Sequence, residues 1–502
     1  MKIVLKYSLK YSLWLFLSGL FLVTGCQDFL NKPLQGKLTQ QNFPTTGDDA
    51  LAATNAVYYT LRDANYHTGL FPILDIMSDD ARKGSNPSDQ ASTIGSYDNF
   101  SNTSTEESLS RWWSTLYQGI RRANVVIDKV PGITMDPALQ KQYIGEAKFL
   151  RALFYFDLVR AWGGVPLVTG LNPPLDLGRA SQDEIYALIK QDLLDAIGVL
   201  PEKSQERASD YGRATKGAAN SLLARVYLFL GDFPNVEKYC LEVIHSDEYA
   251  LEPDFSDANS VKGEMGVESI FEIGALGNLE GIENGGDFYA NAQAVRGTPN
   301  RGWGFNRPTL DLMKAFEPGD PRLDKTVIFL GEVLDGVKII GDVGTPDLTL
   351  DNKGDTVEIE CYNQKVWTPG VTVAASQGYD RRLIRYADVL LMAAEALNED
   401  GNPTEARTYL NQVRARARQG NNSILPDITE NNKDALRELI LHERRVELAL
   451  EGFRFWDLVR TGKADSVLGP LGFKKGKNEL LAIPQSEIDL SQGKIKQNPN
   501  WE

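Results

Sequence analysis

Leu383-Ile384-Arg385-Tyr386-Ala387-Asp388-Val389-Leu390-Leu391-Met392-Ala393-Ala394-Glu395-Ala396-Leu397, followed by Gly401-Asn402-Pro403 and a second periodic run to Arg418, decides the fold. It reads as helix, tight turn, helix. Ala393, Ala394, Ala396 and Ala406 lie near the crossing, and two helices approach closely only where the side chains between them are small. Such a pair is the unit of a tetratricopeptide-like array. Ala218 to Ile244 repeats the plan, with Gly231-Asp232-Phe233 as its turn. Leu109–Val130 with Pro137–Trp162, and Thr46–Arg62, add further units. The spacing between units is irregular, so the pattern predicts a helical scaffold carrying insertions and not a regular array.

Local signals support the same reading. Ser181-Gln182-Asp183-Glu184 is a capping box: the serine takes an orphan amide and the glutamate reaches back. Ile185, Leu188, Ile189, Leu193, Ile197 and Leu200 then form one apolar face, and Pro201 ends the helix. Asp136-Pro137 caps the next clear helix, whose stripe includes Ala147, Leu150, Phe154 and Leu158 and which stops at Gly163-Gly164. The insertions differ in character. Residues 85–108 are polar and carry Tyr97 and Phe100; residues 274–307 are rich in Gly and Asn and carry Phe288, Tyr289, Trp303 and Phe305. Val337-Lys338-Ile339-Ile340 and Val371-Thr372-Val373 predict a few short strands. Loops this long in a compact protein are uncommon unless they are functional or disordered.

The chain begins with Lys2, Lys6 and Lys10, an apolar run from Leu13 to Val23, and then Thr24-Gly25-Cys26. A basic segment, a short apolar segment and small residues before a cut read as a secretory signal. The run is short of the roughly 20 residues a spanning helix needs. Cysteine directly after Thr24-Gly25 resembles a bacterial lipobox, with Val23 where leucine is usual, so Cys26 is expected to carry the lipid anchor. The formal charge of −15 becomes −18 once those three lysines are removed. A surface that acidic argues against nucleic acid as a partner, which needs basic patches. Apart from Cys26 there are only Cys240 and Cys361, read as buried thiols, and His67, His245 and His442 show no metal-ligand spacing. No cofactor or metal site is expected.

Four segments in order resemble the RagB/SusD family of Bacteroidota outer-membrane nutrient-binding lipoproteins. They are Gly145-Glu146-Ala147-Lys148-Phe149-Leu150-Arg151-Ala152 running on to Trp162-Gly163-Gly164-Val165-Pro166; Arg385 to Ala396; Glu443-Arg444-Arg445-Val446-Glu447-Leu448-Ala449-Leu450-Glu451-Gly452 with Arg454-Phe455-Trp456-Asp457-Leu458; and Leu481-Ala482-Ile483-Pro484 with Gln497-Asn498-Pro499. The resemblance implies a mostly α fold: a tetratricopeptide-like α–α superhelix of about four helix pairs, with an irregular loop-rich subdomain holding a few short strands. It divides the chain into a lipoprotein signal peptide (1–25), an N-terminal region of helix pairs with a polar loop at 85–108 (26–245), and a C-terminal region (246–502). That last region has a loop-rich insertion over about 250–375 and helices over 381–460. It also implies an outer-membrane location facing the exterior, and a partner, a SusC-like TonB-dependent β-barrel transporter over which the lipoprotein sits. An oligosaccharide or other nutrient would be captured by the loops. The family uses one scaffold for many cargoes, and loop residues decide among them.

Sugar rings present flat C–H faces that stack on aromatic side chains, with polar groups beside them to fix orientation. Trp303, between Gly302 and Gly304 and beside Asn306, is the best such platform; otherwise it is a hydrophobic pin for its loop. Tyr97 with Asp98 and Asn99 is a second, and Tyr289 a third. Asp80 and Arg82, in Asp79-Asp80-Ala81-Arg82, either bond ligand hydroxyls or cap the preceding segment and pair with each other. His442-Glu443-Arg444-Arg445 tempts as an acid–base cluster, but its spacing fits ion pairs along a helix. A glycan-degrading hydrolase on the same scaffold would need two carboxylates at a set separation, and no motif singles out a pair. A peptide-binding tetratricopeptide scaffold is the other alternative, less in keeping with loops rich in aromatics, Gly and Asn. The expectation is a binding protein, not an enzyme.

Overall fold

The computed structural model describes residues 43–66, 75–174, 176–207, 210–277, 288–370 and 378–501. The leader with Cys26, and the run Val371-Thr372-Val373, lie outside the described residues. From Thr46 onward the chain forms one compact unit. Its frame is a set of long helices: α1 (Gly47–Leu61), α2 (Glu107–Lys129), α3 (Pro137–Trp162), α4 (Gln182–Ile197), α5 (Lys216–Leu230), α6 (Phe233–Ile244), α7 (Tyr386–Glu399), α8 (Pro403–Ala417) and α9 (Lys433–Glu447). Each of α1 to α6 packs on the next, α6 packs on α7 across the insertion, and α7 packs on both α8 and α9. This is the expected superhelix of helix pairs. The turns are those the sequence announces: Gly231 caps α5 at φ +68°, Asp232 caps α6, and Gly401 at φ +84° precedes Pro403. The capping box at Ser181 and Glu184 is present.

Two helices depart from the simple amphipathic picture. On α3 the expected stripe widens to nearly the whole circumference, because α2 and α4 enclose it. On α7 every residue from Tyr386 to Asn398 is buried, as for a helix at the centre of a larger core. Cys240 and Cys361 are free and buried.

The insertions form small antiparallel pairs: β1 (Ala81–Gly84) with β3 (Phe305–Pro308), and β2 (Ser269–Ile273) with β10 (Arg381–Arg385). Further pairs are β4 (Val327–Phe329) with β9 (Cys361–Asn363), the hairpin β5 (Val333–Leu334) with β6 (Val337–Lys338), and the hairpin β7 (Leu348–Leu350) with β8 (Thr356–Ile359). In the first, Arg82 stands opposite Arg307.

A buried charge network joins this loop-rich layer to the helices. Arg385, at the end of β10, donates to Glu268 (2.7 Å), Glu447 (2.7 Å) and Glu451 (2.8 Å). Arg416 of α8 reaches Glu268 (2.8 Å) and Glu447 (2.5 Å), and Arg322 reaches Glu443 (2.5 Å) and Glu447 (3.1 Å). Arg414 reaches Glu443 (2.9 Å), and Lys365 reaches Glu451 (2.6 Å). Burial works against ionisation of Glu447, but Arg416, Arg385 and Arg322 overcome it and hold its carboxyl far below the usual range. Glu443 and Glu447 thus serve arginines from three other elements, a wider role than pairing along their own helix. The segment 481–498 closes over the C-terminal end of α3. Leu481 N–H donates to Ala161 O (2.7 Å), the Trp162 indole donates to Ala482 O (2.9 Å), and the Asn498 amide bridges Trp162 O and Leu481 O.

Candidate functional site: an exposed aromatic pair on a glycine turn

Trp303 owes its position to the backbone around it. Arg301 and Gly302 both donate to Val295 O (2.9 Å each), Trp303 donates to Asn291 O (2.8 Å), and Gly304 donates to Ala294 O (3.1 Å). The turn therefore lies flat against the short helix Phe288–Gln293 and the residues after it. That closeness requires glycine: a Cβ on Gly302 would stand 2.5 Å from Asn291 O and 2.8 Å from Ala294 Cβ, and Gly304 has φ +72°. The loop is held by its own backbone hydrogen bonds. Trp303 is 38% exposed, beside Phe288 at 37%, with ring centroids 6.2 Å apart. Two large apolar rings left partly open side by side make a platform for an apolar ligand face.

The scaffold reaches this platform by two routes. Lys365, fixed on Glu451 and on Glu447 O (2.9 Å), leads to Trp367, over whose ring the Arg301 guanidinium lies at 3.9 Å. Arg301 Nη1 also donates to Thr368 O (3.1 Å). The second route is β10: Arg381 lies over the Tyr289 ring at 4.4 Å, and Tyr289 stacks on Tyr379 with nearly parallel rings 5.9 Å apart. Tyr289, Ala290, Val366 and Tyr379 form a local core beneath the platform.

The structure separates the residues that sequence reasoning had grouped. Trp303 is open, as a platform must be. Tyr289 is buried, its phenol driven to higher pKa by desolvation, so its ring is not open as that of Trp303 is. Its neighbour Phe288, passed over in the sequence, takes the exposed place; successive helical residues point about 100° apart, so only one of the two could. Tyr97 is fully buried with its hydroxyl on Ser108 (3.0 Å), which corrects the expectation of a second platform: no ring face is free. Asp98 spends its carboxylate on the Lys83 backbone N–H (3.0 Å to each oxygen), and burial raises its pKa to about 6. Asn99 caps its own turn through Ser101 N–H (3.1 Å). Asn306 is fully buried at φ +59° and bridges Asp75 (3.2 Å) and Gln293 (3.1 Å). Asp80 is fully buried and accepts from Arg445 Nε (2.7 Å), while Asp79 accepts from Arg454 Nε (2.8 Å). Arg82 is half-buried and donates to Ser78 O (3.3 Å) and Ala81 O (3.1 Å). The acidic pair is structural, with arginines of the 443–454 segment as partners instead of Arg82. Among the described residues no group of three or more His, Cys, Asp or Glu is arranged to hold a metal ion.

Comparison with known proteins gives this architecture its place. A family model described as "SusD family" matches residues 267–501, and one described as "Starch-binding associating with outer membrane" matches residues 60–228. A solved structure titled "Laminarin binding SusD-like protein" is 31% identical, with a TM-score of 0.76 over 91% of this chain and 100% of that one. The chain belongs to the SusD family. SusD-like protein P38 of Formosa agariphila is 29% identical over 488 residues, 91% of this chain and 92% of its own. Surface glycan-binding protein A of Bacteroides thetaiotaomicron, solved with laminarihexaose, is 26% identical with a TM-score of 0.75, over 90% of this chain and 100% of that one. The SusD-family fold is therefore shared along the helices and the loop-rich layer alike.

Proposed function

We propose that this SusD-family chain is a non-catalytic receptor that captures a glycan, most closely one of the laminarin type, on the Phe288–Trp303 platform. It would hand that glycan to a TonB-dependent β-barrel transporter. The observation that carries the reading is the exposed ring pair on a turn whose backbone is already fixed, in a chain 31% identical over its full match to a laminarin-binding relative. The description of the family matched at residues 60–228 supports an outer-membrane location, with Cys26 as the acylated residue. Two acyl chains at about 0.8 kcal/mol per buried CH2 hold a domain to a bilayer without a spanning helix. Among the described residues no helix is long and apolar enough to cross one.

Affinity electrophoresis and calorimetry against laminarin, starch, levan and pectin test the reading. The protein should be retarded by laminarin and release no new reducing ends; release of shorter sugars would overturn the receptor assignment. Trp303→Ala should weaken laminarin binding at least tenfold, about 1.4 kcal/mol, with thermal unfolding unchanged. Binding undiminished in that variant would place the site elsewhere. Co-purification from membranes with a β-barrel transporter tests the partner, and loss of palmitate labelling in Cys26→Ala tests the anchor.

A further inference from the structure

A further groove lies in the loop-rich layer. It is lined by Ser256, Asn259, Lys325, Gln364, Trp367 and Pro369, among others. Its chemistry is mixed in the way that recognises hydroxylated rings: a serine, two amides, an ammonium and an indole. Lys325, in the lining, is exposed. Gln364 Oε1, in the lining, is enclosed and lacks a hydrogen-bond partner among the described residues, and such an atom calls for a donor. The groove is also tied to the aromatic platform. Trp367, in its wall, is the ring over which Arg301 lies at 3.9 Å. Arg301 belongs to the turn that presents Trp303, anchored on the same Val295 carbonyl as Gly302.

We propose that the groove between residues 256–260 and 364–369 is a second saccharide subsite, so that the ligand is a chain of several sugar units laid from the Phe288–Trp303 platform toward Lys325 and Gln364. The proposal rests on the glycan-receptor reading and deepens it: the platform binds one stretch of the chain by stacking, and the groove binds a later stretch through hydroxyl hydrogen bonds. A ligand too short to reach both gains nothing from the groove.

Calorimetry of the full-length protein with laminaribiose and laminarihexaose tests this. The unaltered protein should bind the hexaose at least tenfold more tightly than the biose. The double variant Gln364→Ala/Lys325→Ala removes two groove groups without touching the Arg301–Trp367 stack. It should weaken hexaose binding at least fivefold while leaving biose affinity and the unfolding temperature as they were. Trp303→Ala should weaken both ligands. Hexaose affinity unchanged in the double variant, or an equal loss for both ligands, overturns the subsite while the platform stands. No binding of either sugar by the unaltered protein overturns the laminarin reading and the subsite with it.

Discussion

The heart of the molecule and its open face solve opposite problems. Around Glu447, four arginines and a lysine meet four glutamates out of contact with water; around Trp303, two rings are kept in contact with it. In the first region charge is desolvated and must be met by opposite charge, so the arrangement tolerates little change. In the second, backbone hydrogen bonds do the positioning and the side chain is free to meet something else. Position is fixed in both, by ion pairs in one and by glycine in the other. A binding face can thus change its rings without disturbing the frame, whereas the frame cannot lose a charge.

The strongest way to break this contrast is Arg385→Met. It strands Glu268, Glu447 and Glu451 without their shared partner, and should cost about 3–5 kcal/mol in denaturant unfolding. Any protein that still folds should bind glycan as before. Gly302→Ala attacks the open face through its backbone. The new Cβ cannot be accommodated against Asn291 O, so stability should fall by about 1–3 kcal/mol and glycan affinity should fall with it, since Trp303 is displaced.

Asp380 offers a subtler probe through pH. Burial, with Glu264 and Glu272 nearby, raises its pKa to about 8, and its carboxylate accepts from Ala275 N–H (2.6 Å). A carboxyl whose pKa is raised on folding stabilises the fold at low pH, and that contribution fades as pH climbs from about 4 through 8. Asp380→Asn mimics the protonated form. It should flatten that part of the stability profile and leave the variant about 1 kcal/mol or more ahead at pH 8, read from unfolding midpoints between pH 4 and 8. Glu447, shifted the other way, gives a contribution that is full above about pH 4.5 and fades progressively as pH falls below that. The smallest effect belongs to Tyr97→Phe, which removes the bond to Ser108 and should cost about 0.5–1.5 kcal/mol with glycan affinity unchanged. A loss of affinity there would return Tyr97 to the site.

Much of the frame was legible in the chain because its signals are local. Gly231, Gly401, Ser181 with Glu184, and Asp136 with Pro137 each act within one turn, and the structure places helix ends at all of them. The destination of the 443–452 segment was not legible. Ion pairs along one helix and ion pairs to Arg322, Arg385, Arg414 and Arg416 look the same in sequence, since the partners lie 29 to 125 residues away in the hydrogen bonds they form. At the site, Trp303 stood out because flanking glycines mark a close backbone approach. Tyr97 and Tyr289 ranked behind it as second and third platforms, and only tertiary burial told them from Phe288. Asp80 and Asn306 are polar residues in loops by sequence and buried residues by structure, for the same reason.

The clasp that segment 481–498 makes on Ala161 and Trp162 has a consequence for how the molecule is made. Those bonds join positions separated by 320 and 336 residues, among the longest loops the chain has to close, and such closures come at an entropic cost and late in folding. A polypeptide emerging from its N-terminus onward holds the 161–182 corner unfinished until residues 481–498 have arrived. The helices made first therefore wait on residues 481–498 for these partners.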